Sequence, residues 1–254
     1  MSPIAANLQA VRRRISETLQ GDSRIVTVVA VSKSHGPEVV RAAHAAGCRD
    51  FGESYLQESL PKLAALSDLP ITWHYIGHLQ TNKARDIAAR FDWVHGVDRS
   101  KAAAALAKAR PESSPPLNVC VQVNISAELT KGGVAPGQAL ALAREVAAMP
   151  RLRLRGLMGM ASPTQDPLER RRQFALLRET YQGIRDAGIE VDTLSMGMSD
   201  DYVEALQEGA NMVRIGTAIF GDRPRTEPQI GSDPNVVNDL GDNDVSAREL
   251  GSDP

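Results

Sequence analysis

Short runs of apolar and β-branched residues alternate along this chain with longer stretches rich in alanine and leucine. The first run is IVTVVAVS at Ile25–Ser32, and the helical stretch that follows spans Pro37–Ala46 and stops at Gly47. The same alternation continues through CRDFGE, TWHYIG, DWVHGV, LNVCVQVNI, LRGLMGM, DTLSMG and NMVRIG. A helical stretch follows each run except the last, after which only a short turn fits. This alternation predicts βαβ units and a parallel sheet.

Eight such units in about 220 residues predict a single (β/α)8 barrel of the TIM type. One extra helix precedes them over about Pro3–Leu19, with Ser2 as its N-cap and the proline in its first turn. A doubly wound sheet is the alternative, but no G-x-G-x-x-G opens the first helix and no phosphate-binding G-x-x-x-x-G-K-S/T occurs. Within the helix predicted over Ser54–Leu66, Pro61 predicts a kink or break.

The C-terminal segment 228–254 differs in composition from the rest of the chain. It carries six acidic residues, one arginine and no aromatic residue, and Gly, Ser, Asp, Asn and Pro dominate it. Such a segment buries too little apolar surface to offset the entropy cost of ordering, so we expect a disordered acidic tail. Its tetrapeptide GSDP occurs twice, which fits an added expression sequence. The barrel domain is therefore predicted over residues 1–227.

Charge and composition exclude several classes of function. The net charge is -2 and only 4% of residues are aromatic, which argues against a nucleic-acid-binding or polybasic membrane-surface protein. No apolar stretch approaches the roughly 18 residues of a membrane span, and the first residues lack the apolar core of a signal peptide. Cys48 and Cys120 lie in or beside apolar segments, as reduced core thiols do. We therefore expect a soluble cytoplasmic protein.

The carboxyl ends of the predicted strands are the places to search for chemistry, because barrel enzymes carry their active sites there. Lys33 directly follows VTVVAVS, so a lysine stands where the most apolar strand ends. Burial at that position would lower the pKa of the lysine and free its amine to attack an aldehyde. The alternative is a lysine that simply extends into solvent at the rim of the barrel.

The ends of the last two predicted strands suggest a phosphate site. Ser199 in SMGMSDD can cap the following helix, while Gly216 and Thr217 in VRIGT offer close backbone approach and a second hydroxyl. Barrels commonly bind phosphate with loops in these positions. Asp200 and Asp201 would repel a phosphate unless they point outwards. Ordinary turn and cap chemistry is the alternative interpretation of each loop.

Other polar residues are candidates with a less specific pattern. Arg214 precedes Gly216 by two residues, so it shares a strand face with it and either faces the ligand or pairs with an acid. His74 and His78 have a zinc-like spacing, but they belong to a predicted strand rather than a helix, and no metal site is expected. His74 either lines the ligand site or is a hydrogen-bonded core histidine. Lys131 is either a rim contact for phosphate or a solvated loop lysine.

Five motifs, in the order VTVVAVSK, FGESYLQE, WHYIGHLQTNK, LSMGMSDD and VRIGTAIFG, resemble those of the pyridoxal phosphate homeostasis protein family. The resemblance covers about Asn7 to Pro224. Members of that family are single-domain barrels related to the N-terminal domain of alanine racemase. The resemblance therefore implies that pyridoxal 5′-phosphate is the cofactor and that Lys33 holds it as a Schiff base.

Further site residues are implied by the same resemblance: Ser199, Gly216 and Thr217 at the phosphate, Met198 nearby, and Arg214 at the pyridine nitrogen. An arginine does not lose its proton, so the ring nitrogen facing it stays unprotonated and the ring becomes a weaker electron sink. Ser54 stands where many relatives have asparagine, so its contact with the ring edge would be shortened or mediated by water. His35 replaces a second lysine of many relatives, which argues against a cofactor-transfer role at that position.

The family resemblance implies a non-catalytic protein of vitamin B6 homeostasis that supplies the cofactor to apo-enzymes. A monomer is expected, because the site needs no partner chain. The alternative is an amino-acid racemase, which needs a base on each face of its substrate. In alanine racemase the second base is a tyrosine from a separate domain of the partner subunit, and we expect no room for such a domain after Pro224. None of Tyr55, Tyr75, Tyr181 and Tyr202 is assignable to that role from sequence.

Overall fold

Eight parallel strands close into a barrel in the computed structural model of the chain, which describes residues 2–128 and 131–222. The strands pair in chain order, and the eighth pairs back with the first, where Arg214 lies opposite Val29. The strands are β1 (Thr27–Val31), β2 (Asp50–Glu53), β3 (Thr72–Tyr75), β4 (Trp93–Val97), β5 (Leu117–Val123), β6 (Leu152–Gly159), β7 (Thr193–Ser195) and β8 (Met212–Ile215). The predicted (β/α)8 barrel is confirmed.

Nine α-helices accompany these strands within the described ranges. The first begins as predicted, because Ser2 Oγ accepts a hydrogen bond from Ala5 N at 3.3 Å and Pro3 occupies the first turn. The last is a single helical turn at the place where only a short turn fits. The helices are α1 (Pro3–Thr18), α2 (Pro37–Ala45), α3 (Leu56–Ala65), α4 (Ala84–Arg90), α5 (Ser100–Ala109), α6 (Pro136–Ala147), α7 (Pro167–Asp186), α8 (Tyr202–Gln207) and α9 (Thr217–Phe220).

The third helix differs from its predicted course. It begins at Leu56 rather than Ser54, which lies in the loop after β2. It also continues through Pro61, so the predicted break at that residue is wrong. Pro61 is exposed, so the carbonyl that lacks its usual N–H donor lies on the outer side of the helix, where water can bind it.

Apolar side chains form one core between the helices and the strands and a second core inside the barrel. The inner core consists of Val29, Trp93, Cys120, Met158 and Met212. Both cysteines of the chain are buried free thiols, as predicted. Burial raises the pKa of Cys120 to about 12, so this thiol stays protonated. Because side chains fill the interior, a ligand has access only at the ends of the strands.

The parallel strands all open their carboxyl ends to the same mouth of the barrel, and the candidate site lies there. No helix in residues 2–128 and 131–222 combines the length and the apolar character needed to cross a membrane. The predicted acidic tail, residues 228–254, lies outside the described residues, as does the predicted domain end at residue 227.

Candidate functional site

The carboxyl ends of the strands surround a cavity of about 270 Å³. Seven of the eight residues that the sequence indicates line it: Lys33, Ser54, Met198, Ser199, Arg214, Gly216 and Thr217. They belong to or follow β1, β2, β7 and β8, which are consecutive neighbours in the closed sheet. Closure of the barrel therefore brings the two ends of the described chain together at one site.

Lys33 lies two residues after the end of β1 and is half-buried at the cavity. The next residue, Ser34, has a φ of 66°, a left-handed conformation that costs a non-glycine residue roughly 1–2 kcal/mol. Its backbone N–H donates a hydrogen bond to Glu58 Oε1 at 2.6 Å. A side chain of α3 thus holds the backbone on the C-terminal side of Lys33 in its turn.

The backbone on the N-terminal side of Lys33 is held by the same group of residues. Ser32 Oγ donates to Glu53 Oε1 at 2.6 Å, and Lys62 Nζ donates to the Ser32 carbonyl at 2.9 Å. Lys62 Nζ also donates to Glu53 Oε1 at 2.8 Å and to Glu58 Oε1 at 3.0 Å. All three donors of this ammonium group are therefore used, and Lys33 stands between two anchored residues.

Lys62 and Glu53 form a buried ion pair beneath this turn, with side chains only 4% and 0% exposed. Burial raises the pKa of Glu53, while the Lys62 ammonium opposes that rise. Glu53 Oε2 makes no hydrogen bond within the described part of the chain. The four-residue spacing of Glu58 and Lys62 on one helix indicates only their own contact, and no local pattern indicates the pair of Lys62 with Glu53. The pair is sensitive to the loss of either member, because the other charge would remain buried.

The loops after β7 and β8 are joined by the side chain of Ser199. Its Oγ accepts hydrogen bonds from the backbone N–H groups of Gly216 and Ala218, both at 3.2 Å. The sequence predicts that Ser199 caps α8, but its side chain does not do so. The pairing of β7 with β8 places the first N–H groups of α9 within hydrogen-bond distance of Ser199 Oγ instead. Thr217 lies between the two donors, and its exposed side chain lines the cavity. Hydroxyl and N–H groups thus converge at one end of the cavity.

A phosphate site was expected to require that the two aspartates after Ser199 point outwards. The structure shows that they do not both do so. Asp200 is exposed but lines the cavity. Asp201 is buried, and its Oδ1 accepts a hydrogen bond from Met198 N at 2.6 Å. The pKa of Asp201 is raised by burial, and the hydrogen bond from Met198 opposes this rise only in part. The buried carboxyl group closes the loop that carries Met198 and Ser199.

Arg214 lies in β8 and is only 4% exposed. Its Nη1 donates to the carbonyl and the Oγ of Ser195, both at 2.8 Å, and its Nη2 donates to the Gly159 carbonyl at 3.0 Å. Burial lowers the pKa of Arg214 to about 10, and the charge of Asp201 opposes this shift. The guanidinium group is therefore still charged at neutral pH, and it presents a fixed cation to the cavity.

His74 is the exception among the eight indicated residues, because it does not line the cavity. It is fully buried as the third residue of β3, with Nε2 3.0 Å from Asp50 Oδ1 and Nδ1 2.9 Å from His95 Nε2. The expectation that His74 lies beside the ligand is corrected, because its side chain lies deeper in the barrel. Ile76 of the same segment lines the cavity instead. In the described ranges, no three or more His, Cys, Asp or Glu side chains are grouped to hold a metal ion.

Lys131 does not line the cavity either. Its Nζ donates to the Ala161 carbonyl at 3.0 Å and lies 2.9 Å from Glu128 Oε1. Sequence reasoning missed several apolar residues of the cavity wall, namely Val31, Ile76, Met158 and Met160. Each of these residues lies at the end of a predicted strand, which was the signal for it. An apolar residue at such a position is usually interpreted as part of the hydrophobic core.

Comparison with known proteins identifies the family to which this chain belongs. Residues 1–224 match the family model described as alanine racemase, N-terminal domain. A pyridoxal phosphate homeostasis protein of Pseudomonas aeruginosa is 52% identical over 231 residues, which cover 90% of this chain and 99% of that protein.

Solved structures extend the comparison. PipY of Synechococcus elongatus, determined with PLP bound, is similar with a TM-score of 0.76 and 35% identity, covering 86% of this chain and 100% of that one. Alanine racemase of Corynebacterium glutamicum is similar with a TM-score of 0.65 and 19% identity, covering 91% of this chain and 63% of that one. The second likeness concerns the fold alone.

Proposed function

We propose a function for this chain from its family, since it belongs to the alanine racemase N-terminal domain family and to the pyridoxal phosphate homeostasis proteins. The chain binds pyridoxal 5′-phosphate (PLP) through Lys33 and takes part in the intracellular supply of that cofactor. The observation that carries the proposal is the convergence of seven indicated residues on one cavity. The P. aeruginosa relative bears the homeostasis name, and the PipY structure contains PLP, both of which support it.

The residues present fit both functional ends of PLP. When bound, PLP supplies an aldehyde for reaction with an amine and a phosphate that needs hydrogen-bond donors. Lys33 offers the amine at the cavity. At the other end, the hydroxyls of Ser199 and Thr217 offer donors, while the N–H groups of Gly216 and Ala218 donate to Ser199 Oγ and hold that side chain in place. Hydrogen bonds from neutral donors to an ionised phosphate are stronger than those between two neutral groups.

Each group of the chain has a defined part in this binding. Lys33 would hold the cofactor, whose aldehyde condenses with an amine with loss of one water. Arg214 would meet the ring nitrogen, and because its guanidinium does not give up a proton, that nitrogen would stay unprotonated. This arrangement weakens the ring as an electron sink and favours holding the cofactor over chemistry on amino acids.

Covalent trapping tests the proposal directly. The purified full chain, incubated with PLP, is expected to show a visible absorption band that disappears on treatment with borohydride. Peptide mapping by mass spectrometry should then locate one reduced adduct at Lys33. A chain that stays colourless and carries no adduct, or that carries it at Lys131, would overturn the assignment.

The double variant Ser199→Ala, Thr217→Ala is expected to bind PLP more than about a hundredfold more weakly, because it removes two hydrogen bonds to a charged group and each contributes about 1.5–3 kcal/mol. Equilibrium dialysis of PLP measures this change. The matched control is Ser67→Ala with Thr180→Ala, which removes two hydroxyls remote from the cavity. Equal retention by the two double variants would place the phosphate elsewhere.

The alternative function, amino-acid racemisation, finds at this cavity no tyrosine of the kind that serves alanine racemase as second base. Each of the four tyrosines lies in the described ranges, and none of them lines the cavity. Two have other roles: the Tyr75 hydroxyl donates to the His78 carbonyl at 3.2 Å, and that of Tyr181 donates to the Val191 carbonyl at 2.9 Å.

We therefore expect the PLP-loaded protein to catalyse no sustained exchange of the α-proton of D- or L-amino acids in deuterated water. Racemisation requires removal of that proton on one face and its return on the other. Proton NMR follows the exchange, and the baseline is free PLP at the same concentration. Exchange or racemisation well above that baseline would favour the racemase.

Partner, assembly and location follow from the same proposal. PLP-dependent apo-enzymes are the recipients that a supply role requires. A monomer is the expected assembly, because Lys33 needs no partner chain to reach the cavity. Two buried free thiols are typical of a reducing compartment and support the cytoplasm. Light scattering of the purified chain tests the monomer.

A further inference from the structure

A series of polar side chains crosses the interior of the barrel and ends at Arg214. His74 Nε2 lies 3.0 Å from Asp50 Oδ1, and His74 Nδ1 lies 2.9 Å from His95 Nε2. His95 Nδ1 lies 3.0 Å from Ser195 Oγ, which accepts a hydrogen bond from Arg214 Nη1 at 2.8 Å. We call these five residues the polar relay. They come from β2, β3, β4, β7 and β8, so the relay joins distant strands of the barrel.

The relay is shielded from solvent except at Asp50. His74, His95 and Ser195 are fully buried, and Arg214 is 4% exposed. Asp50 is the first residue of β2, and its side chain is 28% exposed at the amino-terminal end of the barrel. Arg214 lines the cavity at the carboxyl end. Buried polar atoms need their partners, so each link of the relay constrains the next.

Donor and acceptor chemistry gives the relay one direction. An ionised Asp50 only accepts, so His74 carries its hydrogen on Nε2 and offers Nδ1 to the Nε2–H of His95. His95 Nδ1 is then an acceptor and takes the hydroxyl hydrogen of Ser195. Arg214 only donates, which requires a lone pair of Ser195 Oγ to face it. The Arg214 end alone leaves a second lone pair of Ser195 Oγ open to a donor, so it is the Asp50 carboxylate that gives the assignment of two Nε2–H tautomers.

The charges along the relay agree with this assignment. Burial lowers the pKa of His95 well below its usual value, and His74 and Arg214 act in the same direction. His95 is therefore neutral at neutral pH, and Arg214 at the end of the relay is cationic. Asp201 and Cys120 are the other titratable groups that influence Arg214, and neither belongs to the relay.

We propose that Asp50, His74, His95 and Ser195 are positioning residues that set the direction of the relay and thereby hold the Arg214 guanidinium in place at the cavity. The hydroxyl of Ser195 is the decisive link. With His95 Nδ1 taking its hydrogen, Ser195 Oγ keeps its lone pair towards Arg214. Without that acceptor the hydroxyl rotates, and its hydrogen competes for the space of the Arg214 donor.

The direction of the relay is tested on the protein without PLP. Long-range proton–nitrogen NMR of the 15N-labelled full chain reports the tautomer of each of its five histidines. We expect His74 and His95 to be neutral with the hydrogen on Nε2. A hydrogen on Nδ1 of either ring, or a charged His95 at neutral pH, would refute the proposal. This outcome does not depend on cofactor binding.

Asp50→Ala tests whether the exposed end sets the direction. It is expected to replace the single tautomer of His74 and His95 by a mixture, because water donates or accepts equally well. Asp22→Ala is the matched control, since Asp22 is an exposed aspartate that pairs with Arg24 before β1. Unchanged tautomers in Asp50→Ala would show that the carboxylate does not set the direction and would overturn the proposal.

Ser195→Ala tests the link to Arg214. Side-chain nitrogen NMR of unloaded protein follows rotation of the Arg214 guanidinium, which we expect to be about tenfold faster after loss of one hydrogen bond. Thr193→Val is the control, because it removes a buried hydroxyl of the same strand that bonds Asp192 instead. Equal rotation rates in the two variants would contradict the positioning role.

The PLP-loaded protein gives a separate reading, which rests on the proposed function. Ser195→Ala is expected to shift the visible absorption maximum of bound PLP, since the cation at its ring nitrogen is no longer held in one place. Thr193→Val should leave the maximum where it is. If the NMR results hold and neither loaded protein shows a PLP spectrum, the proposed function fails while the relay stands. If PLP binds and the maxima agree, the relay does not position Arg214 against the ring.

Discussion

Replacing Lys33 by alanine abolishes covalent attachment of PLP, the largest effect expected of any single substitution in this protein. The amine of Lys33 is the nucleophile that the cavity offers, and alanine has no group that forms a bond with an aldehyde. The visible band and the borohydride-trapped adduct should both fall below detection. Ser199 and Thr217, the proposed phosphate donors, remain in this variant, so weak non-covalent binding of PLP should persist in equilibrium dialysis.

Lys131→Ala is the control for this result. Lys131 is a lysine of the loop after β5, and its contacts with Ala161 and Glu128 do not bring it to the cavity. This variant should keep the visible band and the adduct at Lys33. If Lys33→Ala retains a trapped adduct, another amine is the attachment point, and the role given to Lys33 is wrong.

Lys62→Met should destabilise the fold by about 3–5 kcal/mol, the second large effect. Removing one member of a buried ion pair leaves the other charge without compensation in a dry site. Here the loss affects Glu53, which is fully buried, and Glu58, whose Oε1 also holds the N–H of Ser34. Denaturant unfolding followed by circular dichroism measures the free energy of unfolding. Lys101→Met is the control, because Lys101 is exposed on α5 and the chemical change is the same.

The pH dependence of this loss has a defined sign. Burial already raises the pKa of Glu53 in the native protein, and loss of the Lys62 ammonium removes a charge that opposes the rise. A carboxyl group with a raised folded pKa contributes stability below its unfolded pKa of about 4.5 and loses it as pH rises through the folded value. The destabilisation of Lys62→Met should therefore be larger at pH 7.5 than at pH 5. An equal loss at both pH values would show that Glu53 is not the group left uncompensated.

Most of the candidate site was predictable because a parallel barrel gathers the carboxyl ends of its strands at one mouth. Lys33, Ser199 and Gly216 were found by their positions after predicted strands, without any knowledge of how the strands pair. His74 shows the limit of this reasoning. Alternation places its side chain inside the barrel, but its depth along the strand depends on the tilt and register of the strands, which only the closed sheet shows.

The prediction that Ser199 caps a helix was also wrong, because it used only the local sequence around that residue. The sequence places Ser199 just before a helix, which is a usual cap position. In the structure its Oγ instead accepts from Gly216 and Ala218, which lie 17 and 19 residues away in the chain. A hydroxyl bonds the donors that are nearest in space, and the pairing of β7 with β8 decides which donors those are.

The order of apolar runs and helical stretches by itself determined the eight strands, the end of the barrel where the candidate site lies, and the position of Lys33 at that end. Such features are local, since they depend on the period of the side chains and on where each strand stops. Only the tertiary structure decided the buried contacts behind the cavity: Ser32 with Glu53, 21 residues away, and His95 with Ser195, 100 residues away. These partners meet because the sheet closes on itself with one register, and no local pattern in the chain records that register.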